Sequence, residues 1–195
     1  MNPVIQNMAD RRSVREYTDE QIPNDKLIKI IQAGYYSPNA GNKQHLRMVI
    51  CENKLINEKL GKLRMLVTRK FWWPKEGEEF TFSDEELENS DVENSFYNAP
   101  CVVYLFSKKD FEFAEADCYI MSNDICLAAR SFDIGSCVIS VATDYFLTDS
   151  AQRILKKWNI PEDYRIFAHA ILGYPKGEFP EAKKHDIYVP PLFVR

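Results

Sequence analysis

The chain has 195 residues and a net charge of −4, with 45% hydrophobic and 28% charged residues. That length and balance describe an ordinary soluble globular protein, large enough to bury a core without disulfides. They exclude a nonspecific nucleic-acid binder, which needs a broad basic face, and the run "CVVYLF" is far too short to span a bilayer.

The opening "MNPVIQNMAD" lacks the basic start and apolar core of a signal peptide. It reads as a short helix with Val4, Ile5 and Met8 on one face. Next, "DRRSVREYTDEQIP" (10–23) gathers Arg11, Arg12 and Arg15 around Ser13. Residues 24–34 are a clear amphipathic helix, with Asn24 or Asp25 as the expected cap, Leu27, Ile28, Ile30 and Ile31 as the buried stripe, and Gly34 as the stop. "YYSPNAGNKQH" is a turn-rich loop, "LRMVICE" (46–52) a strand, and "KLINEKLGKLRMLVTR" an amphipathic helix.

Residues 70–95 are acidic and aromatic with few aliphatics, and read as a surface excursion carrying a short helix near "SDEELEN". Two roles stay open for it, a lid or a surface ornament. "PCVVYLFS" (100–107) is a continuous apolar run, which predicts a central strand covered on both faces. The longest helix spans 112–132 and is apolar on nearly all sides from Cys118 onward, as in a large core or a subunit interface. "GSCVISVA" (135–142) is a buried strand, "SAQRILKKWN" a helix, and "YRIFAHAILGY" (164–174) the last strand. The tail 175–195 has four prolines and runs extended. This order, without internal repeats, predicts one α+β domain over 1–195: a sandwich with a mixed, mostly antiparallel sheet flanked by helices.

The five cysteines are odd in number, form no CxxC and sit mostly in apolar runs, which fits reduced, buried thiols in a cytoplasmic protein. His45, His169 and His185 are far apart and no HExxH is present, so a zinc site is not expected. His169, inside a strand, is expected to be a hydrogen-bonded core or interface residue. GxGxxG, GxxxxGK and GxSxG are absent, which argues against the commonest dinucleotide, P-loop and serine-hydrolase sites.

Two readings of the arginine cluster are open. It is either a solvated basic turn paired with Glu16 or Asp19, or a clamp in which guanidinium forks and the Ser13 hydroxyl grip a phosphate. The loop "SPNAGNKQ" (37–44) favours the clamp. Its Asn39, Asn42 and Gln44 each carry a donor and an acceptor, matched to the edge of a flat heterocycle. Lys183 and Lys184 can add charge from the tail. Together these features point to flavin mononucleotide (FMN).

At this point the chain resembles the nitroreductase family of FMN-dependent oxidoreductases. The resemblance rests on "RRSVREY", then "SPNAGNKQ", then the long helix leading into "GSCVISVA", then "LGYPKGEFPEAKK". It implies that Arg11 pairs with the 5′-phosphate, with Lys183 or Lys184 closing on it. Arg12, Ser13 and Arg15 would hold the ribityl end and the pyrimidine edge. Pro38, Asn39 and Asn42, from the other subunit, would line the ring, with Gln44 supporting their loop. The backbone at Val138, Ile139, Ser140 and Val141 would face the dimethylbenzene side and N5. It also implies an intertwined homodimer and a ping-pong cycle from NADH or NADPH to a nitroaromatic, quinone or similar acceptor. The all-round apolar helix and the extended tail support the dimer independently. Dehalogenation, ring dehydrogenation and flavin binding without turnover are the alternatives. The sequence departs from the family pattern at Gln44-His45-Leu46, where Gln-Pro-Trp is usual, at Ser140 and Val141, where Gly is frequent, and in its Lys-Lys pair, where Arg is frequent.

Overall fold

Every residue from Cys101 to Ser107 is buried, and around this strand the rest of the fold is arranged. The computed structural model describes residues 2–72, 85, 89–140, 145–146, 148–181 and 191–194. In chain order the elements are α1 (Pro3–Asp10), α2 (Asn24–Tyr35), β1 (Arg47–Cys51), α3 (Lys54–Trp72), β2 (Cys101–Lys108), α4 (Ala114–Arg130), β3 (Gly135–Ile139), α5 (Asp149–Lys157) and β4 (Tyr164–Gly173). The strands form one four-stranded sheet in the order β1-β2-β4-β3. Each of its pairs is antiparallel, so the sheet lies at the antiparallel limit of the expected mixed arrangement.

Alternation along the strands sends side chains to two cores. Val102, Tyr104 and Phe106 meet Leu60, Leu63 and Val67 of α3 and Leu155 of α5. Cys101, Val103 and Leu105 meet Leu27 and Ile30 of α2 and Met121, Ile125 and Ala129 of α4. A register shift at Leu105/Phe106 leaves Phe167 without a partner on β2, and Phe167 and Ala168 then face the same core. All five cysteines are free and buried, as their apolar surroundings in the sequence predict.

Three local expectations are corrected. The α2 N-cap is Pro23, without a side-chain cap bond, and Asn24 and Asp25 lie inside the first turn. The backbone carbonyl of Pro23 accepts from Lys26 and Leu27, so the proline turn does the work expected of a polar side chain. Gly34 is not a helix stop, because α2 continues to Tyr35. A Cβ at Gly34 would stand 2.8 Å from Ile125 Cγ1, so the glycine is there to let α2 and α4 approach. The third strand is also shorter than the 135–142 expected, ending at Ile139 with Ser140 exposed. The short helix expected near "SDEELEN", most of the 70–95 excursion, Val141, and the tail lysines Lys183 and Lys184 lie outside the described residues.

Candidate functional site

The segment after α1 lies against the free edge of β3. Ser13 forms an isolated parallel bridge with Ser136, and the Val14 N–H donates to the Ser136 carbonyl at 2.9 Å. A Cβ at Gly135 would come within 2.9 Å of Val14 Cγ2, so the missing side chain is what admits this close approach. Val14 is buried and Arg15 exposed. In an extended chain this alternation places Arg11, Ser13 and Arg15 on the face opposite Val14. Because the bridge is parallel, the segment runs in the same direction as β3. Beyond Val14 the segment crosses to the chain just past β4, where Tyr17 bridges Pro175 and the Thr18 N–H donates to the Tyr174 carbonyl. Arg12 turns back, donating from Nη1 to the Arg11 carbonyl. Among the described residues, neither the Arg11 and Arg15 guanidinium groups nor the Ser13 hydroxyl has a hydrogen-bond partner from the chain.

Arg15 does not pair with Glu16 or Asp19, as a solvated turn would have it. Asp19 instead accepts from Lys54 at 2.8 Å, and the Arg15 guanidinium stands 5.8 Å over the Tyr97 ring. Tyr97 and Asn98 have φ of 53° and 54°, both in the left-handed region that disfavours side chains. The turn is held by Tyr97 N–H to the Asn94 carbonyl and by Asn94 Nδ2 to Asn98 Oδ1. It packs on α3 at Gly61, where a Cβ would collide with Asn94. A cavity of about 670 Å³ opens here, lined by Arg15, Tyr17, Tyr97, Glu58, Lys62 and Lys176. The tail joins it through Lys176 N–H to the Glu16 carbonyl.

The amide loop forms a different cavity, of about 700 Å³, lined by Pro38, Asn39, Asn42 and Gln44 with Tyr36 and Met121. Among the described residues, none lines both cavities. The loop is locked from within and from α4. Gln44 N–H donates to Asn39 Oδ1 at 2.9 Å, and Gln44 Nε2 to Asn42 Oδ1 at 3.2 Å. Asp117 Oδ1 accepts from the Ala40 N–H at 3.0 Å, and Asp124 Oδ2 from the Ser37 hydroxyl at 2.7 Å. Gly41, Asn42 and Gln44 all have positive φ.

Beneath the β3 edge lies a polar cluster that sequence reasoning anticipated only at His169. That imidazole is buried. Its Nδ1 is 3.1 Å from the Ile139 carbonyl and its Nε2 is 2.6 Å from the Tyr145 hydroxyl. The carbonyl can only accept, so Nδ1 carries the proton and the Tyr145 hydroxyl donates to Nε2. Burial, with the Arg64 charge second, pushes the His169 pKa down to about 3. Tyr104 donates to Asn57 on α3 at 2.9 Å, and Tyr119 of α4 donates to the Ser140 carbonyl at 3.0 Å. Arg64 of α3 is 7% exposed, and its Nε has no partner. Burial lowers its pKa from the usual guanidinium value. The signal for it was present in "KLRMLV", where an arginine interrupts a stripe otherwise formed by Leu60, Leu63 and Val67. Asp117 and Asp124 had no such signal, because acids on a helix read as solvated. Among the described residues, no cluster could hold a metal ion, and no helix is long and apolar enough to cross a membrane.

Known proteins resemble this chain in sequence and fold. A protein of Archaeoglobus fulgidus with the provisional name NADH dehydrogenase/NAD(P)H nitroreductase is 28% identical over 178 residues, which cover 91% of this chain and 88% of that one. A nitroreductase of Bacteroides fragilis, solved with bound FMN, superposes with a TM-score of 0.81 at 25% identity, covering 99% of this chain and 100% of that one. Iodotyrosine deiodinase bound to FMN and 3-iodo-L-tyrosine shares the fold, with a TM-score of 0.70 at 18% identity over 96% of this chain and 97% of that one. The model of the nitroreductase family matches residues 8–174, and the chain belongs to that family.

Proposed function

We propose that the protein is an FMN-dependent oxidoreductase that takes hydride from NADH or NADPH and delivers it to a nitroaromatic, quinone or similar acceptor. The observation that carries this reading is the row Arg11, Ser13, Arg15. Two fixed charges and a hydroxyl share one face of an extended segment, without a hydrogen-bond partner among the described residues, where that segment bridges β3 at Ser136. Such a donor set fits a phosphorylated, polar-edged cofactor better than it fits water alone. The family and the FMN-bound structure of similar fold supply the chemical identity.

When bound, FMN supplies reversible hydride transfer at its N5. The chain's part is binding and electrostatics. Arg11 neutralises the phosphate, with Lys183 or Lys184 joining it, and Arg12 and Ser13 hold the ribityl end. Arg15 brings a positive charge to the pyrimidine edge, where reduction adds negative charge. The backbone of Val138, Ile139, Ser140 and Val141 lines the ring.

The amide loop belongs to a second copy in this reading. Pro38, Asn39 and Asn42 line a cavity separate from Arg15, with Gln44 as their brace, so one chain holds half of each site. The apolar face of α1 supports a homodimer, because Val4, Ile5 and Met8 are 63%, 56% and 54% exposed. At the tail, Leu192, Phe193 and Val194 are likewise exposed. The whole chain, 1–195, then acts as one unit, with 70–95 and 175–195 as appendages to the site.

The test is the visible spectrum of purified protein, before and after NADH or NADPH, followed by turnover with a nitrofuran and a quinone. A yellow protein bleached by nicotinamide and reoxidised by either acceptor meets the reading. A folded protein that stays colourless with added FMN removes it. Reductive dehalogenation is the second reading, favoured by the fold shared with the deiodinase. A halophenol in the acceptor panel separates the two.

A further inference from the structure

One row of side chains crosses the sheet under α3. Tyr104 of β2 is the register partner of His169 on β4, and His169 is the register partner of Ile139 at the end of β3. The rings of Phe96, Tyr104 and Tyr145 surround the imidazole, with centroids 5.2, 5.4 and 5.8 Å from it. A phenylalanine would fill such a cage without the cost of burying two ring nitrogens. The nitrogens instead join two separate points of the chain. Nδ1–H donates to the Ile139 carbonyl at 3.1 Å, and Nε2 accepts from the Tyr145 hydroxyl at 2.6 Å. One imidazole thus holds the chain at the residue where β3 ends and again where Tyr145 joins the core. Only the neutral ring can donate and accept at once.

The end of β3 is gripped a second time. The next carbonyl, that of Ser140, accepts from the Tyr119 hydroxyl of α4 at 3.0 Å. Helix α4 covers the sheet face opposite α3, so side chains from both layers fix two successive carbonyls. Ser140 itself is exposed, which leaves this gripped backbone open to a ligand. The cage reaches the cavity as well. Phe96 precedes Tyr97, whose ring lines the cavity of about 670 Å³ and stands 5.8 Å under the Arg15 guanidinium. Resting on the flavin reading above, we propose that His169 is a positioning residue of the cofactor site. It touches no cofactor atom, and holds the Ile139–Ser140 backbone at the angle at which that backbone meets the flavin ring. Tyr119 is its counterpart from the other layer.

The test compares wild type, His169→Gln, His169→Asn and Tyr119→Phe, each titrated with FMN. An asparagine amide N–H falls near the place of Nδ1, and a glutamine carbonyl near that of Nε2. His169→Asn therefore keeps the bond to Ile139, and His169→Gln keeps the bond to Tyr145. Melting, the FMN dissociation constant, the visible flavin band and the flavin midpoint potential by photoreduction are measured for each. Both His169 variants should melt lower than wild type. His169→Gln should bind FMN about tenfold more weakly, the worth of about one hydrogen bond, and should shift both the band and the potential. His169→Asn should recover most of the affinity and the wild-type band and potential. Tyr119→Phe should shift the band in the manner of His169→Gln. If both His169 variants melt lower yet keep the wild-type band and potential, His169 serves only the core and the proposal is overturned. Equal shifts in both variants overturn it too, because the bond to Ile139 would then not be the one that matters. Should a variant fail to fold, wild type labelled with nitrogen-15 in its histidines decides: the His169 Nδ1 resonance should move when FMN binds, and an unmoved resonance overturns the proposal. Wild type that takes up no FMN removes the flavin reading and this proposal together, whereas loaded wild type beside unaffected variants removes the proposal alone.

Discussion

The segment 11–15 and the loop 37–44 are both polar stretches between helices, yet the chain treats them oppositely. In the loop, Asn39, Asn42, Gln44, Asp117 and Asp124 bond one another, the backbone and the Ser37 hydroxyl, and Gly41, Asn42 and Gln44 are held at positive φ. In the segment, only Ser13 and Val14 engage the sheet, and the charged ends are left unpaired. The loop is satisfied and shaped, which suits a rigid wall against a flat ring. The segment is anchored by its backbone and unsatisfied at its tips, which suits a clamp that closes on an anion.

The sharpest way to break this contrast is to remove the clamp. Arg11→Ala with Arg15→Ala should leave a folded protein, since neither guanidinium hydrogen-bonds a described residue, and should weaken FMN binding by about 4 kcal/mol, or roughly a thousandfold, at about 2 kcal/mol per charged hydrogen bond. Ultrafiltration followed by absorbance at the flavin band measures it. Retained stoichiometric FMN would mean that the row of donors serves something else.

The same distinction between satisfied and unsatisfied groups reaches the core. His169 is held neutral, with its pKa lowered from 6.5 to about 3. Between these values the unfolded chain binds a proton that the native chain refuses, so stability is full above pH 6.5 and falls as the pH drops. The slope is about 1.4 kcal/mol per pH unit, or about 2 kcal/mol by pH 5. Urea melts at pH 7 and pH 5 should show it, and His169→Gln should flatten the dependence. An equal acid loss in that variant would place the proton uptake elsewhere.

Asp117→Ala comes next in size. It leaves the Ala40 N–H without its acceptor, at a cost of about 1–2 kcal/mol. Hydrogen exchange at Ala40 should rise while exchange in β2 stays slow. Uniform acceleration instead would show that Asp117 holds α4 rather than the loop.

How much of this was legible varied with what encodes it. The buried run 101–107 fixes a central strand, because a strand covered on both faces must be apolar on both. The helices at 24–35 and 114–130 follow from their periodicity. The grouping of Arg11, Ser13 and Arg15 is visible in the sequence, and its role as a phosphate clamp is the proposal that the double variant tests. Gly34 misled because a packing glycine and a stop glycine look alike until the opposing Ile125 is known. Asp117 and Asp124 were hidden for a related reason. Asp117 lies 77 residues from its partner Ala40, and Asp124 lies 87 residues from its partner Ser37. Arg64 interrupts an apolar stripe in the sequence, but that it is buried is known only from the fold.

The smallest effect tests the loop's own wiring. Gln44 contributes two bonds of different kind: its backbone N–H to Asn39 Oδ1, and its exposed side chain to Asn42. Gln44→Ala removes only the second, an exposed bond in competition with water, and should cost under about 0.5 kcal/mol. Asn39→Ala removes the acceptor of the first and frees a backbone N–H in a turn whose positive φ at Asn42 and Gln44 depends on closure; about 1 kcal/mol is expected. If the loop is a wall for the cofactor of a second copy, the gap between the two variants should widen for binding of the ring when they are titrated with riboflavin after correction for stability. A side chain that only braces changes affinity through the loop's shape, so its effect should scale with its stability cost. A side chain that touches the ring should lose more affinity than stability. Equal scaling in both variants would make Asn39 and Gln44 scaffold alone and leave Asn42 as the loop's remaining amide for recognition.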